Sequence, residues 1–168
     1  YSKKDVNETV SPSMDISVAS NFERLIYDFY CNRDAELCNN LYLSFPTKSI
    51  NLPADIWEKT KDLFLSYSVD DSMTIATIQG IFKSHNYLID PHTAVAAVAV
   101  KKLNKDIDCP TLILSTAHPA KFPNSIEEAG ILIDEIPKRL SEVFEKKEIV
   151  YEFPVNKSAI FDFIASKN

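Results

Sequence analysis

The sequence predicts an α/β architecture, mostly helical with one or two strands, and three observations predict it. Apolar residues recur at helical spacing through most of the chain, as in Phe22, Leu25, Ile26 and Phe29. A single compact apolar run, Thr111-Leu112-Ile113-Leu114-Ser115, reads instead as a buried strand. Helices around one buried strand imply a layered α/β unit, and one strand cannot make a sheet, so the rest of the sheet is expected outside this chain.

The elements follow in order. Residues 1–18 read as an extended entry with a loop at Ser11-Pro12-Ser13. Ser20-Asn21-Phe22-Glu23 has the form of a capping box, in which Ser20 and Glu23 satisfy each other's backbone N–H groups. A short helix is expected from Ala35 to Leu43, stopped by Pro46, and another begins near Pro53, pairing Ile56 with Leu63 and Trp57 with Phe64. The helix after Asp70-Asp71 aligns Ile75, Ile78 and Phe82 and tolerates Gly80 at some cost. Asp90-Pro91 is a helix start, with Asp as N-cap and Pro in the first turn, and the Ala94–Val100 run that follows suits close packing. Ser125-Ile126-Glu127-Glu128 forms a second capping box, with Gly130 placed to end that helix. Pro137 opens a helix carrying Leu140, Val143 and Phe144, and Ile149 to Phe153 alternates weakly as a strand would. Asn156 caps a last helix with Ile160, Phe161 and Ile164.

Composition narrows the function. The 168 residues fit one domain or one large piece of a bigger enzyme. A net charge of -6 argues against nucleic acid, which needs a basic face, and against anionic membranes. No segment reaches the roughly 18 apolar residues that span a bilayer. Cys31, Cys38 and Cys109 form no CxxC pair, and a reduced, cytoplasmic setting is the simplest reading. His85, His92 and His118 show no metal-ligand spacing. The chain starts at Tyr1 without a signal-peptide pattern or an initiator Met, as a processed or truncated product would. Gly80 and Gly130 are the only glycines, so no glycine-rich phosphate cradle is present, and in a phosphate-handling enzyme the cradle would lie elsewhere.

Chemistry concentrates at Ser115-Thr116-Ala117-His118-Pro119-Ala120-Lys121-Phe122, where a hydroxyl, an imidazole and an amine follow the apolar run. In open α/β sheets, ligands bind beyond the carboxyl ends of strands. A loop whose polar groups only cap the next helix would read the same. His92, in the first turn of its helix, is expected to be neutral because the helix dipole disfavours imidazolium. Asn21 and Arg24 share the first turn of an early helix, where Arg24 could meet a phosphate or carboxylate or simply form a surface ion pair. Ser115 and His118 are close, but without a G-x-S-x-G elbow they do not define a hydrolase.

Three segments carry a family resemblance. Ser11-Pro12-Ser13-Met14-Asp15-Ile16 followed by Ser20-Asn21-Phe22-Glu23-Arg24-Leu25, then Asp90-Pro91-His92-Thr93-Ala94, then Thr116-Ala117-His118-Pro119-Ala120-Lys121-Phe122, occur in the order and spacing of the threonine synthases. The chain resembles the C-terminal part of the longer bacterial and fungal type. It covers residues 1–168, with 34–70 and the last forty or so weakly diagnostic. The resemblance implies a fold-type-II enzyme dependent on pyridoxal phosphate, which converts O-phospho-L-homoserine and water to L-threonine and phosphate. It also implies that the Schiff-base lysine and the phosphate-binding loop lie upstream, so that this chain alone is inactive and its partner is that upstream part. In enzymes of this fold type a hydroxyl commonly faces the pyridine nitrogen, and Thr116 is the candidate for it. Lys121 would attract the substrate phosphate, His118 would touch substrate or brace the loop, and Asn21 and Arg24 are further candidates for substrate binding. Two alternatives stand beside this reading: a related phospho-lyase acting on another phosphorylated amino acid, and a non-catalytic interaction module. A piece of this kind should expose apolar surface and self-associate.

Overall fold

Capping chemistry and apolar spacing set the helices of the computed structural model, which describes residues 1–45, 48–103, 109–133 and 136–167. The chain divides into two units, Tyr1–Ile133 and Asp134–Asn168.

The first unit opens with a short 3-10 turn at Pro12–Met14, followed by helix α1 (Phe22–Leu25), which runs on as a π-helical turn over Ile26–Tyr30. Helix α2 (Ala35–Ser44) follows Asp34, whose carboxylate accepts from Leu37 N–H at 3.0 Å. Between them Asn32 and Arg33 both take positive φ, a region Asn visits readily and Arg rarely; Arg33 is steadied there by an ion pair to Asp28 at 2.5 Å. The stop expected at Pro46 lies outside the described residues.

Helix α3 (Ala54–Leu63) forms where expected, but its pairing face is not a buried one: Trp57, Leu63 and Phe64 are exposed. Helix α4 (Asp71–His85) is capped by Asp70, which accepts from Met73 N–H at 2.8 Å. That bond, with one from the Ser72 hydroxyl, holds the Asp70 carboxyl below the usual carboxylate range. Helix α5 (Pro91–Leu103) packs along α4, as its small side chains allow. The short helix α6 (Pro123–Glu128) closes over α4 and ends at Gly130, whose φ of +73 is the left-handed value glycine supplies at a helix end. Ile78, Ile89, Ala94, Ile126, Ala129 and Ile131 make the core between these helices. A second cluster, Ile26, Cys31 and Cys38, sits under α1 and α2.

In the second unit, α7 (Lys138–Phe144) and α8 (Lys157–Ala165) form as their apolar spacing predicts. Asn156 caps α8 by accepting from the N–H groups of Ser158 and Ala159. Tyr151 and Phe153 pack against Phe163, with ring centroids 4.7 and 4.8 Å apart.

Three expectations need correction. Among the described residues there is no strand, so the few strands foreseen find no support: Thr111–Ser115 and Ile149–Phe153 both lie outside any helix or strand. The first run is also exposed rather than buried, with Leu112 at 87% and Leu114 at 76% of full accessibility. A strand is completed by the strand beside it, and none of the described residues forms one. Neither capping box forms. The chain already turns at Ala19, which accepts from Phe22 N–H, so α1 starts from Asn21 in helical geometry without a side-chain cap. Pro123 starts α6 two residues before Ser125, which is left buried inside the helix.

Candidate functional site

Asp90 begins the site. Pro91 fixes the first turn of α5, and that turn lays Asp90, His92 and Thr93 into the interior, where Asp90 is fully buried. A buried carboxylate must be satisfied by donors, and this one has three. Its Oδ1 accepts from the His92 backbone N–H at 3.0 Å and from His92 Nδ1 at 2.9 Å. Its Oδ2 accepts from the Thr93 hydroxyl.

The other ring nitrogen of His92 settles its tautomer. Nε2 accepts from the backbone N–H of Ser13 at 3.1 Å, so the ring proton sits on Nδ1, facing Asp90. A carboxylate on one side and an amide donor on the other thus fix the plane of the ring. The Thr93 hydroxyl has one proton, and Asp90 takes it. Ser115 Oγ stands 3.4 Å from Thr93 Oγ1, at the long end of the range for the same hydroxyl to donate to it as well. On the far side, the His92 ring meets the Phe122 ring, with centroids 4.8 Å apart and planes at 59°.

The three segments singled out in the sequence therefore meet at one place. Ser13 comes from the first, Asp90, His92 and Thr93 from the second, and Phe122 from the third. Sequence reading named Asp90 only as a cap and left Thr93 and Ser13 without roles. The signal available was an Asp, a His and a Thr sharing one helix start, each needing a partner if buried.

The loop carrying the candidate residues is mostly exposed. Thr116 is open to solvent, and its hydroxyl has no hydrogen-bond partner among the described residues. His118 Nδ1 accepts from Ala120 N–H at 3.2 Å and caps the 3-10 turn Pro119–Lys121, the bracing geometry foreseen for it. The Lys121 ammonium stands over the Phe122 ring, 6.0 Å from its centroid, and is exposed.

Asn21 and Arg24 lie together, with Arg24 Nη2 donating to Asn21 Oδ1 at 2.8 Å. Arg24 lines a cavity of about 390 Å³ with Tyr27, Cys38 and Tyr42. Burial is the main cause that pushes the Tyr42 phenol up to about 12. Burial, and then the Cys38 thiol beside it, pushes the Cys31 thiol up to about 11. Among the described residues no hydrogen bond, ion pair or ring contact joins Asn21 or Arg24 to Thr116, His118 or Lys121.

A cavity of about 850 Å³ opens beside the first segment, between Ser11, Asp15 and the start of α4 at Asp70 and Asp71. Three of its carboxylates are engaged in capping or bracing: Asp15 by Thr9, Asp71 by Val10 N–H and Asp70 by Met73 N–H. Acidic walls disfavour a phosphorylated ligand there. Among the described residues no group of three or more His, Cys, Asp or Glu could hold a metal ion, and no helix is long and apolar enough to cross a membrane.

Comparison with known proteins places these features in context. The family model described as threonine synthase, C-terminal, matches residues 93–164. Threonine synthase of Pseudomonas aeruginosa is 32% identical over 166 residues, covering 98% of this chain and 35% of that protein. Threonine synthase of Corynebacterium glutamicum is 34% identical, over 97% of this chain and 34% of that protein. The chain thus spans about a third of the length of these curated relatives. Among solved structures, pyridoxal-phosphate-bound threonine synthase from Brucella melitensis superposes with a TM-score of 0.79 at 27% identity, over 99% of this chain and 36% of that one. The yeast threonine synthase superposes with a TM-score of 0.75 at 29% identity, over 99% of this chain and 38% of that one.

Proposed function

The chain belongs to the threonine synthase family, corresponding to its C-terminal part, and from that premise we propose that it forms one wall of an enzyme converting O-phospho-L-homoserine and water to L-threonine and phosphate. The single observation that carries this reading is the convergence of Ser13 and Phe122, from two of the segments typical of the family, on the ring of His92 in the other, itself bonded to a buried carboxylate. The remaining parts of the enzyme, including the lysine that holds the cofactor and the loop that cradles its phosphate, are supplied by the upstream part of the full-length protein. The reaction is placed in the cytoplasm.

The residues present fit one end of pyridoxal phosphate. A solvent-open hydroxyl with no competing partner, that of Thr116, suits the ring nitrogen. The phosphate end finds no match. Gly80 lies inside α4, Gly130 serves a helix end, and Asp34, Asp70 and Asn156 already cap α2, α4 and α8. When bound, the cofactor supplies an electron sink that makes proton loss next to the substrate amine feasible. Thr116 would set the strength of that sink, because a neutral hydroxyl leaves the ring nitrogen largely unprotonated where a carboxylate would not. His118 keeps the loop folded, and Lys121 offers the positive charge that draws in the phosphate of the substrate. Asn21 and Arg24 remain candidates for substrate binding from a neighbouring surface, through the Arg24 guanidinium.

The exposed run Thr111–Ser115 is the place where this chain joins a sheet contributed by the upstream part. Alone, the chain should associate with itself through Leu112, Leu114 and Leu132. Sedimentation of the isolated chain is expected to show dimers or larger species, and a concentration-independent monomer would remove this expectation.

The test of function compares full-length protein with the 168-residue chain for threonine and phosphate release in the presence of pyridoxal phosphate. Activity only in the full-length protein is expected; none in either would defeat the reading. Thr116→Ala in the full-length protein should weaken cofactor binding and slow turnover on the order of tenfold, the worth of one hydrogen bond of about 1.5 kcal/mol. Unchanged affinity and turnover would remove Thr116 from the cofactor site. The second reading is a phospho-lyase for another phosphorylated amino acid, whose phosphate Lys121 would serve equally. Turnover of such a substrate in preference to O-phosphohomoserine would decide for it.

A further inference from the structure

Eight residues, Ser115 to Phe122, carry every candidate of the third segment, and Ser115, Thr116, His118 and Lys121 among them are exposed. The Pro119–Lys121 turn packs against α6, which steadies the later half. The earlier part, Ser115 to Ala117, lies in no helix. What touches the two ends of this loop is the same short piece of α5. Thr93 meets Ser115 at one end, and His92 meets Phe122 at the other. Both are in turn oriented by one group, because Oδ1 of Asp90 takes the His92 donors and Oδ2 takes the Thr93 hydroxyl.

We propose that Asp90 is the positioning residue of the loop Ser115–Phe122, holding one end through Thr93 and the other through His92. Direction matters in this chain of contacts. The carboxylate only accepts, so the Thr93 hydroxyl donates to it, and this bond fixes the position of the oxygen that stands 3.4 Å from Ser115 Oγ. The same carboxylate fixes the proton on His92 Nδ1, which leaves Nε2 to accept from Ser13 and sets the plane of the ring that Phe122 packs on. A carboxylate, unlike an amide, can accept on both arms at once, as Asp90 does from His92 and Thr93. The consequence for cofactor binding rests on the reading of Thr116 given above; the clamping of the loop does not.

The variant Thr93→Val keeps the volume and removes the hydroxyl, and Thr93→Ser restores it. In the cofactor-free full-length protein, trypsin cleavage after Lys121 reports opening of the loop, and cleavage after Lys83, inside α4, reports opening of the whole fold. Thr93→Val is expected to speed cleavage after Lys121 about tenfold with cleavage after Lys83 unchanged, and to weaken pyridoxal phosphate by a factor on the order of 10 to 100, the scale set by small misplacements of a positioned group. Thr93→Ser should return both to normal. Asp90→Asn, which keeps an acceptor for His92 but turns its other arm into a donor, should behave like Thr93→Val. An unchanged rate after Lys121, or an equal rise after Lys83, overturns the proposal whatever the cofactor does. Faster cleavage after Lys121 with normal cofactor affinity in both Thr93→Val and Thr116→Ala leaves the clamp standing and removes the Thr116 contact instead.

Discussion

Replacing Lys121 by alanine in the full-length protein is expected to raise the Michaelis constant for O-phosphohomoserine by roughly 10- to 100-fold, with turnover at saturation little changed. A charge-assisted contact to a phosphate oxygen contributes about 1.5–3 kcal/mol, which sets that range. The split between the two constants follows from the place of the charge. The phosphate is anionic from the first encounter to the moment it leaves, so the ammonium binds ground state and transition state alike, and loss of uniform binding appears in the Michaelis constant. The ammonium is free to act in this way. It is exposed and stands over the face of Phe122 at 6.0 Å, a contact that orients the side chain without neutralising it. Lys121→Arg should recover most of the loss, since the charge returns. Steady-state kinetics of both variants decide the matter, and a normal Michaelis constant for Lys121→Ala would make the lysine structural.

Ile78→Ala is expected to lower stability by about 2–5 kcal/mol, the cost of deleting a large aliphatic side chain from a core that cannot collapse around the gap. Ile78 is fully buried at the centre of the cluster that joins α4, α5 and α6. Its neighbours reach it from three directions: Ile89 and Ala94 before and within α5, Ile126 within α6, and Ile131 beyond it. That spread fixes the cavity open, because no one element can move inward without leaving the others. Since α5 carries the Asp90 network and α6 supports the Pro119–Lys121 turn, the loss should also loosen the candidate site. Urea unfolding of the variant measures the first effect. A change under about 1 kcal/mol, small on the scale of usual core truncations, would place the supporting core elsewhere.

The helices were legible because their signals are local. Asp70, Asp90 with Pro91, and Asn156 announce starts that an isolated chain can already satisfy, and Ile75, Ile78 and Phe82 show the face that must be covered. The capping boxes were misread because the same letters serve two geometries. Ser20 needs an extended entry to cap, and the chain has already turned at Ala19. Ser125 needs to precede its helix, and Pro123 starts it sooner. The π-helical turn at Ile26–Tyr30 left no sequence signal at all, since its apolar positions also suit an α-helix.

The apolar run at Thr111–Ser115 shows a different limit. Its composition says that it wants cover, but composition does not name what provides it. The site was legible in its parts and not in its assembly. Thr116, His118 and Lys121 stood out as chemistry in a loop, whereas the partnership of Asp90 with Thr93 and His92, and the reach of His92 to Ser13 and Phe122, depend on contacts across 79 and 30 positions. No local rule supplies those.

The orientation of His92 has a consequence for spectroscopy. Free imidazole in water favours the proton on the nitrogen remote from the backbone, while here the proton is pinned on Nδ1 between the ring and a buried carboxylate. Shielded from solvent, it should exchange slowly enough to give its own low-field line in a proton spectrum, coupled to a nitrogen of unusual shift. One nucleus would then report whether the segments carrying Ser13, Asp90 and Phe122 have come together, in a preparation with or without cofactor.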